Sequence, residues 1–184
     1  MKKLLQTFTF TLGLAISQIA TAIDWSAYSH DGDIGYRNST WMAQLPNDRP
    51  ISQISMVGTH DTMSLYGGDS VQTQSMSLNM QLQSGIRALD IRCRHYYNSC
   101  AIHHGFVYQN ANLDDVFSTL QQFLQANPSE TVLMRVKEEY DPVGNTRSFE
   151  DTFSAYAQRY PNLLWQSNSA NPNLGQVRGK AVVL

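Results

Sequence analysis

The sequence predicts an α/β fold, an irregular (β/α)8 barrel of the TIM type, of which this chain holds only the N-terminal portion, about five strands. Three observations point there. Short apolar strands alternate with helical stretches, as a mainly parallel sheet requires. Polar residues gather where several strands end, and barrels of this type build their sites at those ends. No glycine-rich phosphate loop follows the first strand, as an open dinucleotide-binding sheet would have.

The elements follow in order. Residues 23–50, rich in Trp, Tyr, Ser, Asn, Asp and Gly, read as an irregular N-terminal wrap with a short helix near 39–45. Residues 51–57 (ISQISMV) form the first strand candidate, closed by Gly58. Residues 76–83 look helical, and Gly85 suits a helix stop. Residues 86–91 (IRALDI) and 100–103 supply two more strands. Asn112 can cap a helix over 113–126, where Val116, Leu120, Phe123 and Leu124 recur at helical spacing and Pro128 follows. Residues 131–136 (TVLMRV) are a fourth strand, 149–160 a further helix, and 180–184 (KAVVL) a fifth strand. Five strands do not close an eight-stranded barrel, which usually takes about 250 residues. The chain stops inside an apolar run, so the expectation is a catalytic domain over 51–184 that lacks its C-terminal part.

The first 22 residues read as a signal peptide. Lys2 and Lys3 precede an apolar run that closes on Ala20-Thr21-Ala22, so cleavage after Ala22 is expected. The run is short and broken by Thr and Gln, which argues against an anchor spanning roughly 30 Å of bilayer. A secreted or periplasmic protein is expected, monomeric, with at most peripheral membrane contact. At 42% hydrophobic and 15% charged the 184 residues are ordinary for a globular domain, and a formal charge of −2 offers no basic field for nucleic acid. Cys93 and Cys100, the two cysteines, flank the polar stretch RHYYNS. After export such a pair is expected to form a disulfide across a short loop, since a metal site would need more ligands.

Four polar groups can do chemistry. His60-Asp61 pairs an imidazole with a carboxylate that can hold its tautomer, although a His-Asp pair in a turn is more often only a capping arrangement. Asp90 and Arg92 fall two apart, on one face of a strand. They could form a structural ion pair, or Arg92 could present its planar fork to a phosphate. In His103-His104-Gly105, one of two adjacent histidines faces inward. Lys137 and Glu139 share a face and could reach ligand hydroxyls, or be surface charges. His60, Asp61 and His104 could also ligate a metal, but Arg92 would put a fixed positive charge in the same cavity. Two histidines around an arginine, with no serine or cysteine nucleophile in evidence, suit a phosphodiester whose own neighbouring hydroxyl attacks.

The segments ISMVGTHDT, QLQSGIRALDIRCR, AIHHG, FLQANPSETVLMRVKEEY and LGQVRGKAVVL resemble, in wording and order, the bacterial phosphatidylinositol-specific phospholipase C family. The resemblance implies cleavage of phosphatidylinositol to diacylglycerol and inositol 1,2-cyclic phosphate, with no cofactor and no metal. It implies His60 as general base, Asp61 as its partner, Arg92 as the phosphate ligand and His104 as general acid. Lys137, with Arg92 and Asp90, would contact the substrate. Thr62 stands where the family has serine, and the family's further catalytic aspartate would lie beyond position 184. Two competing readings are a metal-dependent glycerophosphodiester or sphingomyelin phosphodiesterase and an inactive inositol-binding barrel.

Overall fold

The computed structural model describes residues 34, 36–166 and 169–184. The expected leader, its cleavage site and the first part of the wrap lie outside them. Among the described residues six strands form one mixed sheet: β1 (Gly58–Thr59), β2 (Ala88–Tyr96), β3 (Ser99–His104), β4 (Val107–Asn112), β5 (Val132–Glu138) and β6 (Ala181–Val183). Their order is β4-β3-β2-β5-β6, with β1 beside β2. β1, β5 and β6 join in parallel, and β2, β3 and β4 form an antiparallel meander. The sheet is therefore open and less uniformly parallel than the sequence suggests.

Two expectations need correction. The strand foreseen at 51–57 is a 3-10 turn, Ile51–Gln53, followed by extended chain, and pairing begins only at Gly58. The amides of Ile51 and Ser52 go to the Pro172 carbonyl and the Asn171 side chain instead of to a strand. Ile51, Ile54 and Met56 pack in a satellite cluster with Trp41, Leu45 and Leu174. At Gly58 a Cβ would lie 2.9 Å from the Ala88 Cβ, so glycine lets β1 meet β2. The second correction is β2, which runs to Tyr96 instead of ending at Ile91, turns at Tyr97-Asn98 and returns as β3; β4 is an additional strand. Both turn residues have positive φ, 46° and 58°, as a two-residue hairpin turn demands. The Cys93–Cys100 disulfide forms as expected and staples these two arms.

The helices match their local signals. α1 (Leu78–Ser84) starts at the Ser77 cap and stops at Gly85 with φ 105°. α2 (Leu113–Ala126) carries a capping box: Asn112 accepts from the Asp114 amide and Asp115 from the Asn112 amide. α3 (Phe149–Arg159) starts at Ser148, and α4 (Leu174–Val177) is one turn. The core lies between these helices and one sheet face, where Leu89, Ile91, Cys93, Val132 and Met134 meet Leu82, Phe117, Leu120 and Tyr156. The alternate residues Asp90, Arg92, Arg94, Arg135 and Lys137 therefore point to the other face, the one a barrel would enclose.

Beneath that face the wholly buried Arg87 meets the wholly buried Glu130 at 2.8 Å. Arg87 also donates to the carbonyls of Leu82, Ile86 and Ser39 and stacks over Phe123, while Glu130 accepts from the Met42 amide. Removing one partner strands the other charge. Glu130→Ala should lower stability by about 3–5 kcal/mol, a loss that the midpoint of a urea transition will report. A cost below about 1 kcal/mol, as for an exposed pair, would contradict this burial.

Candidate active site

The site grows from the turn after β1 and from the inner face of β2. Thr59 donates to Gln81 Oε1 at 2.8 Å and contacts the Thr62 hydroxyl at 3.0 Å. Gln81 donates to the Thr62 carbonyl, the Thr62 hydroxyl accepts from the Asp90 amide, and the Thr62 amide donates to the Asp90 carbonyl. This network holds His60-Asp61 against β2. It also sustains Asp61 at φ 44°, a left-handed conformation uncommon outside glycine and frequent at functional sites.

Asp61 is buried, and three expected residues converge on it. His60 Nε2 lies 3.3 Å and His104 Nε2 3.2 Å from its Oδ2, and Arg92 Nε touches its Oδ1. These are charge contacts and not aligned hydrogen bonds: both Asp61 oxygens and His104 Nδ1 are buried without a hydrogen-bond partner among the described residues. Buried polar atoms left this way are rare in folded proteins and call for a specific cause. Arg92 reaches two further carboxylates, donating to Asp90 Oδ2 at 3.1 and 3.0 Å and lying 3.7 Å from Glu139. Its Nη2 donates to His60 Nδ1 at 3.4 Å.

The antiparallel run of β3 explains His104. In the hairpin Cys93 faces Ile102, so the strand brings its last residue back down to the level of Asp90 and Arg92. His103, expected to be the alternate of the pair, is buried beside Tyr108 instead. Across the parallel pair, Asp90 stands opposite Arg135 and Arg92 opposite Lys137. Lys137 donates to Glu139 at 2.7 Å, and Glu139 accepts from the Gly105 amide at 3.1 Å. Asp90, expected against substrate, directs its oxygens to Arg92, Arg135 and the Asp61 amide. Burial would raise the Asp90 and Glu139 carboxyls. The hydrogen bond from Arg92 to the first and from Lys137 to the second, with the neighbouring charges, instead hold both below the usual range.

The sequence did not disclose the tether from Glu139 to Gly105, nor the Thr59-Gln81-Thr62 network. Gln81 had a signal only in retrospect: it is a polar residue on the buried side of α1. The group His60, Asp61 and Asp90 turns one ligand-capable atom each to within 4.8 Å of the others, a set with the donors of a cation site. Arg92 already contacts both carboxylates of that set.

An arginine fork among carboxylates, with two imidazoles beside it, belongs to the class of arrangements able to bind a phosphate group. Comparison with known proteins narrows that class. The family model for the X domain of phosphatidylinositol-specific phospholipase C matches residues 47–184, and the chain belongs to that family. A 1-phosphatidylinositol phosphodiesterase of Listeria monocytogenes is 38% identical over 157 residues, covering 78% of this chain and 47% of the relative. One from Staphylococcus aureus is 30% identical over 194 residues, covering 100% of this chain and 58% of the relative. The chain thus spans about half the length of the curated relatives it matches. A solved S. aureus phosphatidylinositol-specific phospholipase C, from work on its membrane binding, superposes with TM-score 0.74 at 31% identity, covering 86% of this chain and 53% of that one. The Listeria monocytogenes enzyme gives 0.69 at 35%, covering 80% and 56%. These neighbours are TIM-type barrels, and the six-stranded open sheet corresponds to about half of one.

Proposed function

We propose that the chain carries the histidine- and arginine-bearing half of the site of an exported enzyme that cleaves phosphatidylinositol. The observation behind this reading is the convergence of His60, His104 and Arg92 on the buried Asp61. His60 takes the proton of the inositol 2-hydroxyl, whose oxygen attacks the adjacent phosphorus. Arg92 bears the charge that grows on the phosphoryl oxygens. The bond from phosphorus to the glycerol oxygen breaks, and His104 protonates that oxygen. Diacylglycerol leaves, and inositol 1,2-cyclic phosphate remains. Asp61 orients both imidazoles, Asp90 and Glu139 hold Arg92 in place, and Lys137 meets the inositol hydroxyls.

In this reading Arg92 does what a divalent cation would otherwise do, so no metal is required. The competing, metal-dependent reading draws on the set formed by His60, Asp61 and Asp90. One assay separates them: full chain on phosphatidylinositol vesicles with excess chelator, products followed by phosphorus NMR. The expected result is a cyclic phosphate signal undiminished by chelator. Loss of turnover with chelator and its return with calcium would favour the metal-dependent reading, and inositol 1-phosphate as the first product would reject the intramolecular attack. Export is supported by the Lys2-to-Ala22 leader pattern and by a disulfide that suits an oxidising compartment.

A further inference from the structure

β2 does not stop at the level of Arg92. Arg94 and Tyr96 continue the same face toward the hairpin turn, Arg94 roughly 6–7 Å farther along by the rise of a strand. With β3 and β4 this extension makes a wall above the site. A cavity of about 550 Å³ opens on it, lined by Arg94, Tyr96, Ala101, His103, Phe106 and Tyr108 among others.

Arg94 is fixed there yet contacts no carboxylate among the described residues. Its Nε donates to the Asp141 carbonyl at 2.8 Å, and its guanidinium lies 5.4 Å from the Tyr96 ring centre and 4.8 Å from that of Tyr140. Arg92, Arg135 and Lys137, the other cations of this face, each contact a carboxylate. Among the described residues Arg94 has none, and its two terminal nitrogens donate no hydrogen bond. A guanidinium positioned this way offers two parallel donors to an oxyanion at little further ordering cost. His103 lines the same cavity, with Nδ1 3.3 Å from the Gly105 carbonyl oxygen. Burial and the nearby Arg94 charge lower its pKa against the opposing pull of Gly105 and Glu139, so at neutral pH Arg94 is the charge of this cavity.

The lip is aromatic. Phe106 is 73% exposed and Tyr140 48%, with ring centres 6.5 Å apart. Large exposed rings beside a cation suit the headgroup level of a bilayer, where apolar and polar surroundings meet. The formal charge of −2 means that no general basic field would draw the chain to an anionic surface, so attraction must be local.

We propose that this cavity is a second anion subsite, in which Arg94 takes the phosphate of a phospholipid next to the scissile one while Phe106 and Tyr140 rest among the headgroups. The proposal rests on the membrane-lipid reading above, but its test needs no phosphatidylinositol, so either can fail without the other. The full chain is partitioned onto phosphatidylcholine vesicles with and without phosphatidylglycerol. Wild type should bind the phosphatidylglycerol vesicles more tightly. Arg94→Gln should lose about fivefold of that affinity, the worth of one surface cation at an anionic leaflet, with binding to pure phosphatidylcholine unchanged. Arg94→Lys should retain most of the discrimination, which separates lost charge from disturbed folding. In parallel, inorganic phosphate is titrated into wild type without vesicles while the Arg94 Nε resonance is followed. A phosphate-dependent shift without any vesicle preference would keep the anion subsite and move its ligand to solution. Equal phosphatidylglycerol binding by wild type and Arg94→Gln, with no shift of the Nε resonance, would overturn the proposal.

Discussion

His104→Ala should slow release of diacylglycerol from phosphatidylinositol by about 10²–10⁴-fold, the usual contribution of a general acid. On a nitrophenyl phosphodiester of inositol the same variant should lose far less, because nitrophenolate departs without a proton. His60→Ala should fall on both substrates, since the attacking hydroxyl is no longer deprotonated. The geometry makes the contrast sharp: the two imidazoles share Asp61, at 3.3 and 3.2 Å, so disturbing that carboxylate alone would not separate them. Wild-type turnover against pH should be bell-shaped, one imidazole being needed neutral and the other protonated. The measurement is the ratio of rates on the two substrates for each variant. Equal losses for His104→Ala would reject it as the acid, and recovery of His60→Ala on the activated substrate would reverse the assignments.

Arg92→Lys should lower turnover by about 10²–10³-fold on both substrates, the scale seen when one pre-set donor to a developing oxyanion is removed. A single ammonium cannot serve Asp61, Asp90 and Glu139 together and still present two donors to a phosphate. The same change should alter acid sensitivity. Asp90 and Glu139 have lowered carboxyl pKa values, so their stabilising effect is complete above the ordinary carboxylate range and disappears as pH falls through the lowered values. Arg92 helps to depress both, so the variant should begin to lose stability at a higher pH than wild type. Thermal melts across an acid series will show the shift. A variant that keeps its rate within a few-fold would remove Arg92 from the proposed mechanism.

Much of the site could be read from the sequence because its residues lie at strand ends, where alternation predicts direction. Asp90 and Arg92 share a face as their spacing requires, and His60, Asp61, Arg92 and His104 do meet. Helix signals were equally direct: Asn112 caps α2, and Gly85 closes α1. The meander was harder to see. Arg92 to Tyr96 alternates charged with buried residues, but its core-facing members are Cys93 and His95 and not aliphatic, so the run of aliphatic core residues ends at Ile91. The turn that follows uses Tyr97-Asn98 where Asn-Gly would have announced a hairpin. The opposite error fell on 51–57, whose short apolar run of Ile51, Ile54, Met56 and Val57 before Gly58 looks strand-like. Tertiary packing against Trp41 and Leu174 overrides that pattern.

The meander also sets the order in which the site can assemble. β2, β3 and β4 are consecutive and close over two-residue turns, so their pairing has little loop entropy to overcome and is the fast part of the fold. Arg92 and His104 both ride on that local unit. Asp61 comes from well before it, and Glu139 from beyond α2, through pairings that bridge long stretches of chain. A nascent meander therefore displays Arg92 with Asp90 as its one carboxylate partner. Asp61 and Glu139 join only when the slower parallel strands dock, which makes a completed site the signature of a completed fold.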